Sequence, residues 1–232
     1  KRYKYIKSNL GSKFTDIQIV MEPGCNDGCN LFPFYKNGME VYGCDYDEYR
    51  METGRNSGLN ILNGDIDILI DTNKKADLII LSHVLAHIPK LDHFLQKVKN
   101  LLHSDGWLYI ETPGYKWQVQ PKGTQQQIAG YGTSNDFLSF LQFEFCYVFE
   151  LETLKLALRR NGFNLYKGDE VIRSIFQPSN RVLQIHLPYA SKRGEIIYDY
   201  LKDVEIDYLN RENSLLRKMK IIKNIFMQSI VR

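Results

Sequence analysis

Glu22, Gly24, Cys25, Asn26 and Gly28 form an E-x-G-x-x-x-G turn in which a carboxylate stands just before backbone freed by glycine. Glycine admits positive φ and lets a bound molecule approach the chain without a Cβ in the way. The spacing is neither the G-x-G-x-x-G of dinucleotide folds nor the G-K-[ST] of the phosphate loop. A ligand held here is therefore not held by a pyrophosphate; the plainer reading is an ordinary strand–turn–helix connection. Asp45 closes Tyr42-Gly43-Cys44-Asp45-Tyr46. A carboxylate there can take both hydroxyls of a ribose, while Tyr46 can cover a purine face. The same aspartate can instead cap a helix through Tyr46-Asp47-Glu48. Asp65, in Asn63-Gly64-Asp65-Ile66, can accept from an exocyclic amine or serve as a turn aspartate.

The elements that must position these groups follow from the apolar pattern. Ile17 to Met21, interrupted at Gln18, reads as a buried strand leading into the glycine turn, and Leu31 and Phe32 can begin a helix after it. Further strands are predicted at 40–44, 59–62, 77–81 and 106–110, with helices at 29–37, 47–56 and 90–102. Strands alternating with helices imply right-handed βαβ units and a parallel sheet, which binds its ligands at the carboxyl edge. The basic, tyrosine-bearing start (Tyr3, Ile6, Leu10) predicts a short helix ended at Gly11. Ile66 to Ile70 alternates like a strand but sits where a connection belongs. After Pro113 the rhythm stops: 114–148 is rich in Tyr, Gln, Gly and Phe. A helix at 151–161 and strands at 163–167 and 181–187 follow, then a helical tail from about 191.

At 232 residues the chain can bury a full core, and a net charge of +3 is too mild to indicate nucleic acid. Four cysteines (Cys25, Cys29, Cys44, Cys146) are no disulfide framework at this size, so a reducing, cytoplasmic setting is expected. Cys25 and Cys29 lack a second Cys/His pair at zinc spacing, and no metal is expected. The chain shows neither a membrane-span-length apolar run nor a signal peptide at its start. Opening on Lys1, it reads as a piece of a longer protein.

Three motifs in order carry a resemblance: Glu22 to Gly28, Ser82-His83-Val84-Leu85-Ala86-His87-Ile88-Pro89, and Leu101 to Pro113. Residues 14–188 resemble a class I S-adenosylmethionine-dependent methyltransferase. Ala86 stands where that family usually has Glu, and His103-Ser104-Asp105 alters a turn. The resemblance implies a Rossmann-like, doubly wound α/β sheet of seven strands, mostly parallel, with an antiparallel last strand at 181–187 and a C-terminal helical extension. Residues 1–190 would form the S-adenosylmethionine-binding domain and 191–232 the extension. Glu22 and the turn Gly24, Cys25, Asn26 and Gly28 would hold the amino acid end of S-adenosyl-L-methionine. Asp45 and Tyr46 would hold the ribose side, Asp65 with Ile66 the adenine, and Ser82 and His83 would flank the methionine portion. A neutral hydroxyl acceptor needs a general base, and His83 and Glu111 are the catalytic candidates. His87 reads as a structural hydrogen-bonding residue, His103 as surface, and His93 and His186 as ordinary.

Within that family the chain is similar to bacterial enzymes that modify sugars or surface polysaccharide, through Phe145–Phe149, Glu150–Leu158, Gly162-Phe163 and Gly168-Asp169-Glu170. Tyr115, Trp117, Gln118, Gln120, Gln125 to Gln127, Tyr131 and Asn135 mix aromatic faces with amides, which suits a sugar; the same composition suits a lid. Sugar C-methyltransferases carry an N-terminal cysteine-rich zinc region that is missing here, so transfer to oxygen, a hydroxyl or a phosphate oxygen on a sugar, is the expectation. A sugar, sugar nucleotide or glycan is the expected partner, with sugar C-methylation or a non-catalytic glycan-binding or assembly module as alternatives. An Asn/Asp-Pro-Pro-Tyr motif after the fourth strand is absent, which argues against nucleic acid as acceptor. In the tail, Arg211, Arg217, Lys218, Lys220 and Lys223 alternate with Leu215, Leu216, Met219, Ile221, Ile222 and Ile225. That pattern fits contact with the chain's own domain, a homo-oligomer or a further domain better than an anionic membrane.

Overall fold

The computed structural model describes residues 1–114, 145–170 and 172–180, and in the C-terminal part 192, 194–206, 209, 210, 213, 214 and 219. The apolar runs become seven strands: β1 (Ile19–Pro23), β2 (Glu40–Asp45), β3 (Asn60–Asn63), β4 (Ala76–Ser82), β5 (Leu102–Glu111), β6 (Phe163–Gly168) and β7 (Arg173–Pro178). They form one sheet in the order β3-β2-β1-β4-β5-β7-β6. β1 to β5 are mutually parallel, and β7 runs antiparallel to both of its neighbours. Between them lie α1 (Arg2–Leu10), α2 (Phe32–Tyr35), α3 (Glu48–Asn56), α4 (Ile66–Ile70), α5 (Leu91–Leu101) and α6 (Leu151–Arg160).

Period-two alternation along β4 divides the core between two faces. Leu78 and Ile80 pack with Ile6 and Leu10 of α1, Phe34 of α2 and Met51 of α3. Ile79 and Leu81 pack on the opposite side with α4, α5 and α6. Leu91, Phe94, Leu95, Val98 and Leu101 make a helical stripe on α5, all buried. Truncating Leu95 there to Ala would cost about 2–5 kcal/mol. Helices on both faces of a mostly parallel sheet give the expected doubly wound α/β architecture, with the site at the carboxyl ends of β1, β2 and β4.

Several boundaries differ from expectation. The antiparallel strand is Arg173–Pro178, not 181–187, and the latter range lies outside the described residues. Residues 66–70, ambiguous in sequence between a strand and a connection, are a short helix. Asp65 Oδ1 accepts from Asp67 N at 2.9 Å and starts the turn, while Ile66 and Leu69, three apart, are the buried pair. The helix expected at 29–37 is only Phe32–Tyr35, because the turn after Gly28 uses up the preceding residues: Leu31 N and Phe32 N both donate to Gly28 O. His103-Ser104-Asp105 is not a turn but lies within β5, where the pairing with β4 shifts register between Ala76 and Leu78.

The chain falls into two compact units, Lys1–Gly114 with Glu144–Ile185, and Tyr115–Phe143 with His186–Arg232. In the second unit residues 194–206 are mainly helical, with Val204 buried and Ile196, Tyr198 and Ile206 exposed. Among the described residues no helix is long and apolar enough to cross a membrane.

Candidate functional site

A cleft of about 540 Å³ opens at the carboxyl edge of the first unit. Its walls come from the glycine turn (Gly24 to Asp27, Cys29 and Asn30) and from the end of β4 and the turn after it (Ser82 to Val84, His87, Ile88). Gly24 has φ +69°, and a Cβ there would lie 2.6 Å from Val84 Cγ2. Gly28 has φ +74°, and its Cβ would lie 2.5 Å from Leu59 Cδ1. Both the backbone conformation and the space therefore demand glycine. Cys25 contributes only backbone, since its side chain is buried in the core beside Gly43.

Beneath this turn Glu22 is fully buried. Asn30 Nδ2 donates to its Oε1 at 2.7 Å, and Oε2 has no hydrogen-bond partner. Burial pushes the Glu22 carboxyl up to about 8, against the lowering effect of the Asn30 bond and the Arg2 charge. An unpartnered buried oxygen costs free energy until a donor reaches it.

Asp45, at the end of β2, braces two loops: Oδ2 accepts from Asn26 N at 2.8 Å, and Oδ1 from Tyr46 N at 2.7 Å and Asp47 N at 3.1 Å. The helix cap is Asp47, which accepts from Arg50 N. Tyr46 is 72% exposed beside it, with a ring face open to a planar group. Asp65 is exposed and caps α4, whereas the Ile66 side chain is core, so of that pair Asp65 alone offers a side chain at the edge.

On the other wall, His83 has φ +60°, an uncommon conformation for a residue with a Cβ. Its N–H donates to Glu111 O at 2.7 Å, and its Nε2 lies 3.5 Å from Glu111 Oε1. A strained backbone retained at a cleft is a mark of function. Glu111 itself is heavily engaged. Arg2 Nε and Nη2 donate to its two oxygens at 2.7 and 3.1 Å, and Tyr109 OH donates to Oε2 at 2.8 Å. Burial alone would raise the Glu111 carboxyl, but bonds from His83 and Tyr109 and the Arg2 charge outweigh it and hold it down to about 2. So low a value makes Glu111 a poor proton acceptor; the geometry suits it to orienting His83. His87 is exposed, lines the cleft and packs against Phe145 with ring centroids 5.3 Å apart.

Sequence reasoning passed over Arg2, Asn30 and Tyr109. A signal for Arg2 was present: Arg2, Ile6 and Leu10 are spaced four apart, which puts a cation at the head of the buried stripe of α1. The aromatic and amide residues from Tyr115 to Asn135 lie outside the described residues. Among the described residues no group of three or more His, Cys, Asp or Glu is placed to hold a metal ion.

These features test the fit of S-adenosylmethionine. A buried carboxyl with one oxygen still lacking a donor suits its ammonium, a glycine-lined turn suits its amino acid backbone, and an aspartate at the end of β2 suits its ribose. The fold and cleft thus define an α/β enzyme that binds a small cofactor at the strand edge without a phosphate cradle. A family model described as Methyltransferase domain matches residues 6–167, well over half of the chain. The chain belongs to this methyltransferase family of enzymes, and S-adenosylmethionine is the cofactor its site fits.

The ubiquinone biosynthesis O-methyltransferase of Chelativorans sp. (strain BNC1) is 25% identical over 129 residues, 48% of this chain and 50% of that protein. The chain thus spans about half the length of this curated relative. A S-adenosylmethionine-dependent methyltransferase from Clostridium acetobutylicum ATCC 824 is similar in structure, with TM-score 0.55 and 14% identity over 77% of this chain and 92% of that one. The 1,6-didemethyltoxoflavin-N1-methyltransferase of Burkholderia thailandensis, solved with S-adenosylhomocysteine, has TM-score 0.53 and 15% identity over 77% of each chain. At these identities the likeness is one of fold.

Proposed function

We propose that the chain transfers a methyl group from S-adenosylmethionine to a hydroxyl oxygen, and that the hydroxyl belongs to a sugar, sugar nucleotide or glycan. The observation that carries the oxygen reading is the His83–Glu111 pair at the wall of the cleft. When bound, S-adenosylmethionine supplies a methyl group on a positively charged sulfur. Asn30 and the ionised Glu22 would hold its ammonium end, and Asp45 and Tyr46 would take the ribose side. With its Nε2 proton toward Glu111, His83 would present Nδ1 to the acceptor and take the hydroxyl proton as the oxygen–carbon bond forms and the methyl carbon–sulfur bond breaks, the sulfur leaving as the neutral thioether of S-adenosylhomocysteine. Glu111 stays ionised, fixes the tautomer and stabilises the imidazolium that results. The cleft otherwise works by alignment and exclusion of water.

The sugar reading draws on the aromatic and amide composition after Gly114 and on the resemblance to sugar-modifying enzymes. A second reading, a phenolic hydroxyl, is favoured by the similarity to the ubiquinone biosynthesis O-methyltransferase. The test is transfer of a labelled methyl group to a panel of sugar nucleotides, glycans and catechols. Label on sugars with His83→Ala inactive and still binding S-adenosylhomocysteine supports the proposal. Label on catechols alone replaces the sugar with the phenol, and unchanged turnover in His83→Ala removes the base.

A further inference from the structure

The groups behind His83 form a chain of contacts across four elements. Arg2 of α1 holds both carboxylate oxygens of Glu111 on β5 and, through Nη1, donates to Asn30 Oδ1 at 3.0 Å. Asn30 in turn donates to Glu22 at the end of β1. Glu111 reaches His83 after β4. Each of the three Arg2 guanidinium nitrogens donates inside the protein, its side chain is only 24% exposed, and it heads the buried stripe of α1. A planar fork can hold a carboxylate bidentately and still face a third acceptor; an ammonium cannot reproduce that geometry.

We propose that Arg2 is a positioning residue for the acceptor base: it shares the Glu111 carboxylate with His83, so sets how strongly that carboxylate holds the imidazole, and through Asn30 ties the pair to the cofactor anchor Glu22. This rests on the reading of His83 as the base. Glu111 divides its charge between Arg2 and His83. Without Arg2 the carboxylate acts on His83 alone and favours the imidazolium; without Glu111 the guanidinium faces His83 and disfavours it. Among the described residues, the same cleft holds the titratable Asp27 and Cys29 of the glycine turn and His87 after β4, while Tyr109 on β5 bonds Glu111 and Glu22 bonds Asn30. None of these is altered in either variant, and the two variants are expected to move His83 in opposite directions.

The experiment is an NMR titration of the full chain with labelled histidine, the His83 signal being assigned by its loss in His83→Ala. Relative to wild type, Arg2→Gln is expected to move the His83 midpoint up by about one pH unit, and Glu111→Gln to move it down by about one. Arg2→Lys, which keeps the charge but not the fork, is expected to move it up by about half a unit and serves if Arg2→Gln fails to fold. A wild-type midpoint in the folded arginine variants, or shifts of the same sign in Arg2→Gln and Glu111→Gln, overturns the proposal. So does a weakened affinity for S-adenosylhomocysteine with His83 unmoved, which makes Arg2 a cofactor ligand only. No acceptor or turnover is needed, so failure of this inference is separate from failure of the methyl-transfer reading.

Discussion

At pH 7 the buried Glu22 carboxyl, raised to about 8 by desolvation, is about nine-tenths protonated before cofactor binds. An ammonium seated against it requires the carboxylate, so binding at pH 7 is expected to release about 0.9 proton. The same linkage weakens affinity about tenfold at pH 7 and about a hundredfold at pH 6, relative to a permanently ionised carboxylate. In energy these are about 1.4 and 2.7 kcal/mol. Calorimetric titration of S-adenosylhomocysteine in phosphate and Tris at one pH reads the proton count from the dependence on buffer ionisation enthalpy. Glu22→Gln, a neutral isostere, is expected to bind at least about tenfold more weakly and to release no proton. The cofactor-free protein should show the opposite preference. A folded value above the unfolded 4.5 stabilises fully below pH 4.5 and loses that contribution as pH rises through 8. Glu22→Gln is therefore expected to match wild type at pH 5 and to exceed it by a few kcal/mol at pH 8. Zero proton release by wild type at pH 7, or equal release by Glu22→Gln, refutes the placement of the ammonium at Glu22.

Glu111 carries the reverse sign: held at about 2, it stabilises above pH 4.5 and loses about 3 kcal/mol as pH falls toward 2, so acid unfolding should be shallower in Glu111→Gln. Asp45→Ala removes the acceptor for three backbone N–H groups and should cost about 1–2 kcal/mol of stability by urea unfolding, with at least tenfold weaker cofactor binding. Gly24→Val forces a Cβ against Val84 in a left-handed conformation; about 1–2 kcal/mol of backbone strain and lost cofactor binding are expected, with far-UV circular dichroism retained.

The parallel half of the sheet and the glycine turn were legible because local signals agree there: continuous apolar runs, then an acidic residue, then glycines. Where local and tertiary signals diverge, reading failed. Ile66 to Ile70 alternates in sequence, yet a single cap at Asp65 and burial of Ile66 with Leu69 make a helix of it. β7 was displaced because Arg173-Ser174-Ile175-Phe176-Gln177-Pro178 carries a charge at one end and proline at the other, and its burial of Ser174 comes from pairing with Ile110. The candidate bases His83 and Glu111 were found as separate residues. Their pairing, and the role of Arg2 in it, depends on contact across 109 positions of sequence, which no periodicity records.

The chain leaves the sheet edge and rejoins it at nearly the same place. Gly114 and Phe149 form a parallel bridge, and Ala86 O accepts from both Cys146 N and Tyr147 N. Tyr147 OH donates to Pro89 O at 3.1 Å just beyond. Both ends of the intervening stretch are thus fastened to the scaffold by backbone bonds that do not depend on its length or composition. Closing a loop between fixed points grows only slowly more costly with length. In evolutionary terms this is a port: one stretch can be exchanged for another while Glu22, Asp45 and the glycine turn keep their geometry.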